Sequence, residues 1–526
     1  MEERVVKVAK QKGTLNAMQH KAFDLVLNAA QTEAIGALRL IVMGEAGTGK
    51  TYWVQTVEAA LELYYDQIGI GLASAETEGK KRILKMAFTG AAAHNFGGST
   101  IHSTLGVSVY GRTRTDTNSL LLHEKQLKFA EVKFIFVDEY SMISSTLLVQ
   151  IYKALRDIFP TCSHLPFGGR HMIMLGDFLQ LPPVGAQPLY APCKYKLVCE
   201  KLAVPPTYDL EINKHNQGRR LWVEEFQHVV EFVENVRQQN DPQWHSILTH
   251  LRSGTTTAAD ITALQSRATS GGNDNTKLAT RGVLQLHSRL ADVQATNLQM
   301  IQALPHPRLL LLAEHHFVGQ LDTVTEFQLR NLFKVMARTD LRDKTNLPPA
   351  MHIAIGAPVM LTANLCIPAG LFNGARGRVT GYLRDHNAPL FALPLAILVH
   401  FDHLSTLFPR FLDLPHGTVP IRTSEGYLTM RGSTVKVLRR MFPLTLAFAV
   451  SIHKSQGMSC SEVGVNLNGC FTYEQPYVAL SRAKTLAGLH IVQRLENAHK
   501  LLQKRRRASS HPQLLEIERL RALINL

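Results

Sequence analysis

The chain has 526 residues, 45% hydrophobic and 19% charged, which excludes a disordered polypeptide and exceeds one ordinary core, so at least two domains are expected. Lys and Arg number 57 against 42 Asp and Glu, and the formal charge of +15 favours a polyanionic partner, most commonly nucleic acid. No apolar run reaches a membrane span, the first residues lack a secretion signal's apolar core, and Glu2 and Glu3 argue against a transit peptide. The 6 cysteines form no C-x-x-C pair, so neither a zinc site nor a disulfide framework is signalled, and a reducing compartment fits.

From about residue 38 to 185, short apolar runs alternate with stretches of helical spacing. The runs are Leu38–Met43, Met86–Thr89, Phe134–Asp138 and Met172–Leu175, each ending at a polar or glycine-rich turn. Buried parallel strands carry this pattern, which predicts a doubly wound α/β domain. The first run leads into Gly44-Glu45-Ala46-Gly47-Thr48-Gly49-Lys50-Thr51, and Trp53, Val54, Val57, Ala60, Leu61 and Tyr64 follow at helical spacing. Strand, glycine loop and helix N-terminus make a phosphate cradle. The glycines let backbone N–H groups approach phosphate oxygens, and the helix end adds partial positive charge. Lys50 is expected on the β- and γ-phosphates of ATP, and the Thr51 hydroxyl on Mg²⁺.

The run from Phe134 delivers Asp138 and Glu139 to a strand's carboxyl end, where α/β sheets bind ligands. Asp138 is expected to hold Mg²⁺ through water, and Glu139 to orient or deprotonate the attacking water. The run Met172–Leu175 ends in Gly176-Asp177-Phe178-Leu179-Gln180-Leu181-Pro182-Pro183-Val184. There Gln180 either hydrogen-bonds the γ-phosphate or belongs to a proline-stiffened loop without nucleotide contact. Val204-Pro205-Pro206-Thr207 reads as a boundary, followed by a second α/β pattern over about 208–345 in which Ser270–Lys277 is a polar loop. Residues 350–440 are rich in Val, Leu, Phe and Thr with repeated Gly and Pro, which predicts a β-rich insertion, and helix–strand alternation returns from Pro443. Lys504-Arg505-Arg506-Arg507 is a nuclear-import signal, a phosphate contact or a solvated helix end.

In this order the glycine loop, the Asp-Glu pair and Gly176–Val184 resemble superfamily-one helicases, and more narrowly the PIF (petite integration frequency) family, close to RecD, over nearly the whole chain. Leu15-Asn16-Ala17-Met18-Gln19 is similar to the family's adenine-reading segment. Thr89-Gly90-Ala91-Ala92-Ala93 and Gly98-Ser99-Thr100-Ile101-His102-Ser103 resemble its first strand-contacting motifs, and Pro166-Phe167-Gly168-Gly169 a PIF-type hallmark. Val236-Arg237-Gln238 resembles the motif that supplies an arginine to the nucleotide from the second motor domain. Val359–Leu365 and Gly370–Gly377 resemble the approach to an SH3-like insertion. Phe442-Pro443-Leu444, Ser451-Ile452-His453-Lys454-Ser455-Gln456-Gly457 and Tyr477–Ala483 resemble the last motifs. Ser451 stands where Thr is usual and Phe448 where Trp is usual, and Leu147–Phe159 departs from the signature.

The resemblance implies an α/β fold of two RecA-like P-loop NTPase domains, the second interrupted by a small β-rich, SH3-like insertion. The expected bounds are 1–205, with a short wedge-like insertion near 104–130, then 206–349 with 441–526, and 350–440 between them. It implies an ATP- and Mg²⁺-dependent DNA helicase of replication, recombination or repair, moving 5′ to 3′ on single-stranded DNA and acting on tailed or forked duplexes. Gln19 and the loop Gly44–Thr51 would bind ATP; Lys50, Glu139 and Gln180 would act from the first domain, and Arg237 and Arg482 from the second. Thr89, Gly90, Thr100, His102, Lys454 and Ser455 would contact the strand. Arg237 also reads as a surface arginine, Gln19 as a helix-surface residue and His102 as a core histidine. A monomer with no membrane or obligate protein partner is expected, nuclear in a eukaryote and otherwise cytoplasmic or carried by a virus or mobile element. The alternative is a DNA-stimulated ATPase that translocates and remodels nucleoprotein without efficient unwinding. A silent nucleic-acid binder of the same fold fits poorly with intact Lys50, Glu139 and Arg482.

Overall fold

The computed structural model describes residues 2–32, 37–68, 81–107, 119–193, 206–269, 277–278, 281–319, 325–337, 345–385, 387, 389, 392–405, 408, 410–411, 414–429, 436–492 and 511–524. The chain divides into two compact units, Met1–Thr255 with Gln503–Leu526, and Thr256–Leu502.

In the first unit six strands form one parallel sheet: β1 (Arg39–Gly44), β2 (Ile83–Ala87), β3 (Ser99–Thr100), β4 (Phe134–Asp138), β5 (His171–Gly176) and β6 (His228–Phe232), in the order β3-β2-β4-β5-β1-β6. Successive strand side chains point to opposite faces, so each apolar strand feeds two cores. Leu40, Val42, Phe134, Phe136, Ile173, Leu175, Val230 and Phe232 pack with Trp53 and Val57 of the helix Lys50–Gln67. Ile41, Met43, Ile135, Val137, Met172 and Met174 pack on the other face with Leu148 and Ile151 of the helix Ser145–Ile158 and with Trp222 of the helix Pro206–Glu225. This is the doubly wound sheet expected from the alternating runs.

The expected boundary at 205 is corrected. β6 lies beside β1, with Leu40 opposite His228 and Gly44 opposite Phe232, so residues 206–255 complete the first sheet rather than begin a second one. The C-terminal helix Pro512–Ile524 also belongs here, although 441–526 was expected in the other domain. Its Ile517 and Leu520 enter the first unit's core, Glu516 accepts from Trp222 Nε1 at 2.8 Å and pairs with Arg219, and Arg521 pairs with Glu231 of β6 at 2.7 Å. Gln513 donates through Nε2 to the Phe178 carbonyl. These contacts join residues hundreds of positions apart, which a composition shift cannot reveal.

The second unit holds a four-stranded parallel sheet in the order Ala449–Ser451, Leu284–His287, Val463–Asn466, Leu489–Ile491. Its antiparallel part comprises a five-stranded sheet (Thr418–Ile421, Ala396–His400, Arg376–Leu383, Pro358–Leu361, Leu444–Leu446), a three-stranded sheet (Ser424–Thr429, Lys436–Met441, Glu314–Val318) and the pair Leu309–Leu312 with Ala350–Ile353. The β-rich region therefore begins at Leu309, not 350, and includes the helix Glu326–Met336. Buried Arg439 ties these pieces together, donating to His315 Nε2 at 3.1 Å and to the carbonyls of Leu347 and Met336 at 2.8 and 2.5 Å. The expected boundary dipeptide Val204-Pro205, residues 108–118 of the expected wedge, the run Lys504–Arg507 and residues 270–276 of the polar loop lie outside the described residues. Among the described residues no helix is long and apolar enough to cross a membrane.

Candidate functional site

The glycine loop leaves β1 at Gly44 and re-enters helix at Lys50, with Gly49 at the N-cap in the left-handed region (φ 78°) and Gly47 at φ 100°. Both conformations suit glycine, and at Gly47 a Cβ would also lie 2.7 Å from Arg237 Cβ and from Asn235 Oδ1. The Lys50 amine folds over the loop and donates to the carbonyls of Gly44 at 2.7 Å and Glu45 at 2.8 Å. Burial lowers its pKa, while the carboxylates of Asp138, Glu139 and Asp177 pull it back up and Arg237 pushes it down. Those five charges therefore surround one loop. Thr51, in the first turn of the same helix, is half-buried.

Asp138 ends β4, and Glu139 follows in the left-handed region (φ 59°, ψ 48°), unusual for a residue with a side chain. The Glu139 N–H donates to Asp138 Oδ1 at 2.9 Å. Burial and the Glu139 carboxylate push the Asp138 pKa up to about 7, against the pull of Lys50 and of that N–H. Gln180 is buried in the turn after β5, its N–H donating to the Asp177 carbonyl at 3.1 Å. Asp177 itself is held by Arg252, whose Nε and Nη2 lie 3.0 Å from its two carboxylate oxygens.

Arg237 stands in the first unit, which corrects its expected place in the second motor domain. The chain leaving β6 bends over the glycine loop, and the N–H groups of Val236 and Arg237 donate to the Gly47 carbonyl at 2.9 and 3.2 Å. Asn235 secures this bend. Its Nδ2 donates to Glu45 Oε1 at 2.9 Å and to the Ala46 carbonyl at 3.0 Å, and its Oδ1 accepts from the N–H groups of Arg237 and Gln238 at 3.0 and 3.2 Å. His245 Nδ1 lies 3.7 Å from the same Glu45 oxygen. Asn235, His245 and Arg252 were missed in the sequence. An Asn followed by the N–H groups two and three residues on is a recognisable turn signal, but its partner at Glu45 is not readable from spacing.

Gln19 is buried beside the loop as part of a helix cap. Its Oε1 accepts from the Asn16 N–H at 3.1 Å, its Nε2 donates to the Thr48 carbonyl at 3.1 Å, and its carbonyl accepts from Trp53 Nε1 at 3.0 Å. The side chain thus braces the glycine loop against its neighbouring helices.

The expected strand contacts of this unit sit at the carboxyl ends of β2 and β3, which pair Ala87 with Thr100. Thr89 caps the helix Gly90–Asn95, accepting from the Ala92 N–H at 3.2 Å, and Thr100 caps Ile101–Leu105, accepting from the Ser103 N–H at 3.3 Å. Gly90 is buried as the first residue of its helix. His102 meets Phe88 edge-on at 5.6 Å, and burial lowers its pKa, so the ring is neutral near pH 7.

In the second unit Lys454 is exposed in the turn Ile452–Ser455 that follows the strand Ala449–Ser451. Ser455, expected on the strand, is fully buried, and its hydroxyl closes this turn by donating to the Ile452 carbonyl at 2.8 Å. Arg482 is buried in the same unit, with Nε and Nη1 donating to the carbonyls of Val478 at 2.8 Å and Met458 at 3.1 Å and Nη2 to Ser481 Oγ at 2.8 Å. The first unit thus gathers Gln19, the glycine loop, Lys50, Thr51, Asp138, Glu139, Gln180 and Arg237, while Lys454, Ser455 and Arg482 belong to the second.

The PIF1-like helicase family profile matches residues 14–245. Over those residues the chain is similar to PIF1-like helicases. The PIF1-like match runs through β6 and Asn235 into the helix Pro242–Ser253. The chain is 27% identical to the ATP-dependent DNA helicase PIF1 of Danio rerio over 471 residues and 28% identical to that of Homo sapiens over 453 residues, covering 89% and 85% of this chain. It spans 61% and 57% of the length of those PIF1 relatives. The Pif1 helicase structure from Candida albicans is similar with a TM-score of 0.67 at 23% identity, covering 97% of this chain and 99% of that one. A Bacteroides Pif1 in complex with ADP-AlF3 and single-stranded DNA gives a TM-score of 0.61 at 23% identity, covering 95% and 96%. These likenesses establish the fold as that of Pif1 helicases, with two RecA-like domains.

Proposed function

We propose that the chain is an ATP-driven motor that moves along single-stranded DNA and unwinds duplex, in the 5′-to-3′ direction and as a monomer. The observation that carries this reading is the ring of groups around the glycine loop: the Lys50 amine, the Asp138 and Glu139 carboxylates, buried Gln180 and the docked Arg237. In this reading Lys50 leaves its two carbonyl partners for the β- and γ-phosphates, exchanging neutral acceptors for charged ones. Glu139 takes the proton of the attacking water, Gln180 hydrogen-bonds the γ-phosphate, and Arg237 neutralises charge developing on the transferred group. The hard oxygen donors Thr51 and Asp138 fit Mg²⁺, which is commonly held by one carboxylate and substrate phosphates and would supply further charge neutralisation. The family resemblance gives Arg482 of the second unit a similar task, and the five-stranded antiparallel sheet corresponds in this reading to the SH3-like insertion.

Thr89, Thr100, His102 and Lys454 would grip phosphate oxygens, fixing position without reading sequence. The test is ATP turnover with and without single-stranded DNA, followed by strand displacement on 5′- and 3′-tailed duplexes. DNA-stimulated turnover and displacement from a 5′ tail are expected. Turnover without displacement on any tailed duplex would favour the translocase reading, and absence of turnover with intact Lys50 would refute both. Lys50→Ala is expected to reduce phosphate release to background, and near-normal release would reject the site.

A further inference from the structure

The turn that carries Gln180 is bonded from behind by the helix Pro512–Ile524. Within the turn, Asp177 Oδ1 accepts from the Leu179 N–H at 2.9 Å, and the Asp177 carbonyl accepts from the Gln180 N–H at 3.1 Å. The Phe178 carbonyl takes its donor from outside, the Nε2 of Gln513. Both residues are buried, so loss of that amide would leave the carbonyl unsatisfied. The Phe178 ring also reaches the turn that carries Glu139. It meets Tyr140 edge-on with centroids 4.7 Å apart, and the rings of Phe178 and Tyr140 pack on Trp222 at 5.6 and 5.5 Å. Tyr140 directly follows Glu139, and the two turns touch: a Cβ on Gly176 would stand 2.9 Å from the Tyr140 nitrogen. Trp222 in turn donates to Glu516, on the same helix as Gln513, at 2.8 Å.

Docking of the helix does not require this amide. Ile517 and Leu520 already anchor it in the core, and an apolar side chain of similar length at Gln513 would fill the same space without desolvating polar atoms. Gln513 Oε1 has no hydrogen-bond partner among the described residues, so half of the buried amide is unmatched, which lowers stability. The other half is aimed at the backbone two residues before Gln180. A polar group buried at a net loss, with its one bond on the turn of a nucleotide-facing side chain, serves the geometry of that turn rather than the packing of the helix.

We propose that Gln513 is a positioning residue for ATP hydrolysis: by holding the Phe178 carbonyl it fixes the turn that presents Gln180 and, through the Phe178 ring against Tyr140, the neighbouring Glu139. This rests on the ATPase reading above and adds to it a residue that touches neither nucleotide nor metal. The test uses the full chain with single-stranded DNA present and two variants, Gln513→Met, which removes the donor without adding charge, and Gln513→Glu, which keeps the shape and replaces the donor. Binding of a fluorescent ADP analogue counts the folded sites, and single-turnover ATP hydrolysis is expressed per site, so unfolded chains do not enter the rate. Gln180 and Glu139 act at the γ-phosphate, which ADP lacks. Both variants are therefore expected to hydrolyse ATP about 10-fold or more slowly per site while their Kd for the ADP analogue stays within about twofold of wild type. A merely structural role would weaken ADP binding and hydrolysis together. The proposal is overturned if either variant hydrolyses ATP per site like the wild type, or if ADP affinity and hydrolysis fall by the same factor. Wild-type protein that binds the ADP analogue but does not hydrolyse ATP would instead remove the parent reading, and with it this one.

Discussion

Replacing Asn235 by Asp changes one atom and tests how the arginine segment is held on the glycine loop. In the wild type Nδ2 donates to Glu45 Oε1 at 2.9 Å, a charge-assisted hydrogen bond. Asn235→Asp keeps Oδ1, which accepts from Arg237 and Gln238, but sets a second carboxylate oxygen against Glu45. Two unit charges at that separation repel by roughly 6 kcal/mol at an effective dielectric constant near 20. Side-chain movement, water and the nearby His245 reduce this to roughly 2–4 kcal/mol of undocking. With Arg237 released from the Gly47 carbonyl, kcat/KM for ATP is expected to fall about 30-fold or more at pH 8. Asn235→Ala, which removes the bonds without adding charge, should lose less. The sign with pH is distinctive. Facing carboxylates raise one of the two pKa values, so below that raised value a proton bridges the pair and replaces the lost donor. Activity of the Asp variant should therefore recover relative to wild type as pH falls from 8 towards 6. An Asp variant within threefold of wild type at pH 8, or one that recovers as pH rises, would refute the latch.

Glu139→Gln keeps shape and removes the base, so nucleotide binding measured by a fluorescent ATP analogue should persist while single-turnover hydrolysis falls by about 100-fold or more; rapid phosphate release would assign water activation elsewhere. Arg252→Met leaves buried Asp177 without its bidentate partner and should destabilise the first unit by about 3–5 kcal/mol, read as a lowered denaturation midpoint. Gln19→Ala removes a brace from the glycine loop, so kcat/KM should fall by a similar factor for ATP and GTP; a loss confined to ATP would show that Gln19 reads adenine instead.

The strands and glycine loop of the first unit were legible because their signals are local. Glycine spacing, the Asp-Glu pair and the apolar runs each lie within a few residues, and the strand Phe134–Asp138 stands where its pattern puts it. The run assigned to Met86–Thr89 is displaced to Ile83–Ala87, because Thr89 turns out of the sheet to cap a helix. β6 was not singled out in the sequence, and which sheet receives its Val229, Val230 and Phe232 depends on pairing with Leu40–Gly44, far away in sequence. The same limit hid Asn235 from Glu45 and Arg252 from Asp177. Ser455 shows the converse: its motif suggested a ligand contact, whereas a small hydroxyl in a tight turn is consumed by the turn itself.

The helix Pro512–Ile524 makes the first unit discontinuous, with the whole second unit inserted between its pieces in the sequence. Ile517, Leu520 and Glu516 finish a core whose other members lie before Thr255. On the ribosome, residues 1–255 must therefore wait without Glu516, the partner of Trp222 Nε1 and Arg219 Nη2, until some 250 further residues have been made. A lesion near the carboxyl end would then reach the unit that carries the glycine loop without any change to a residue of that loop.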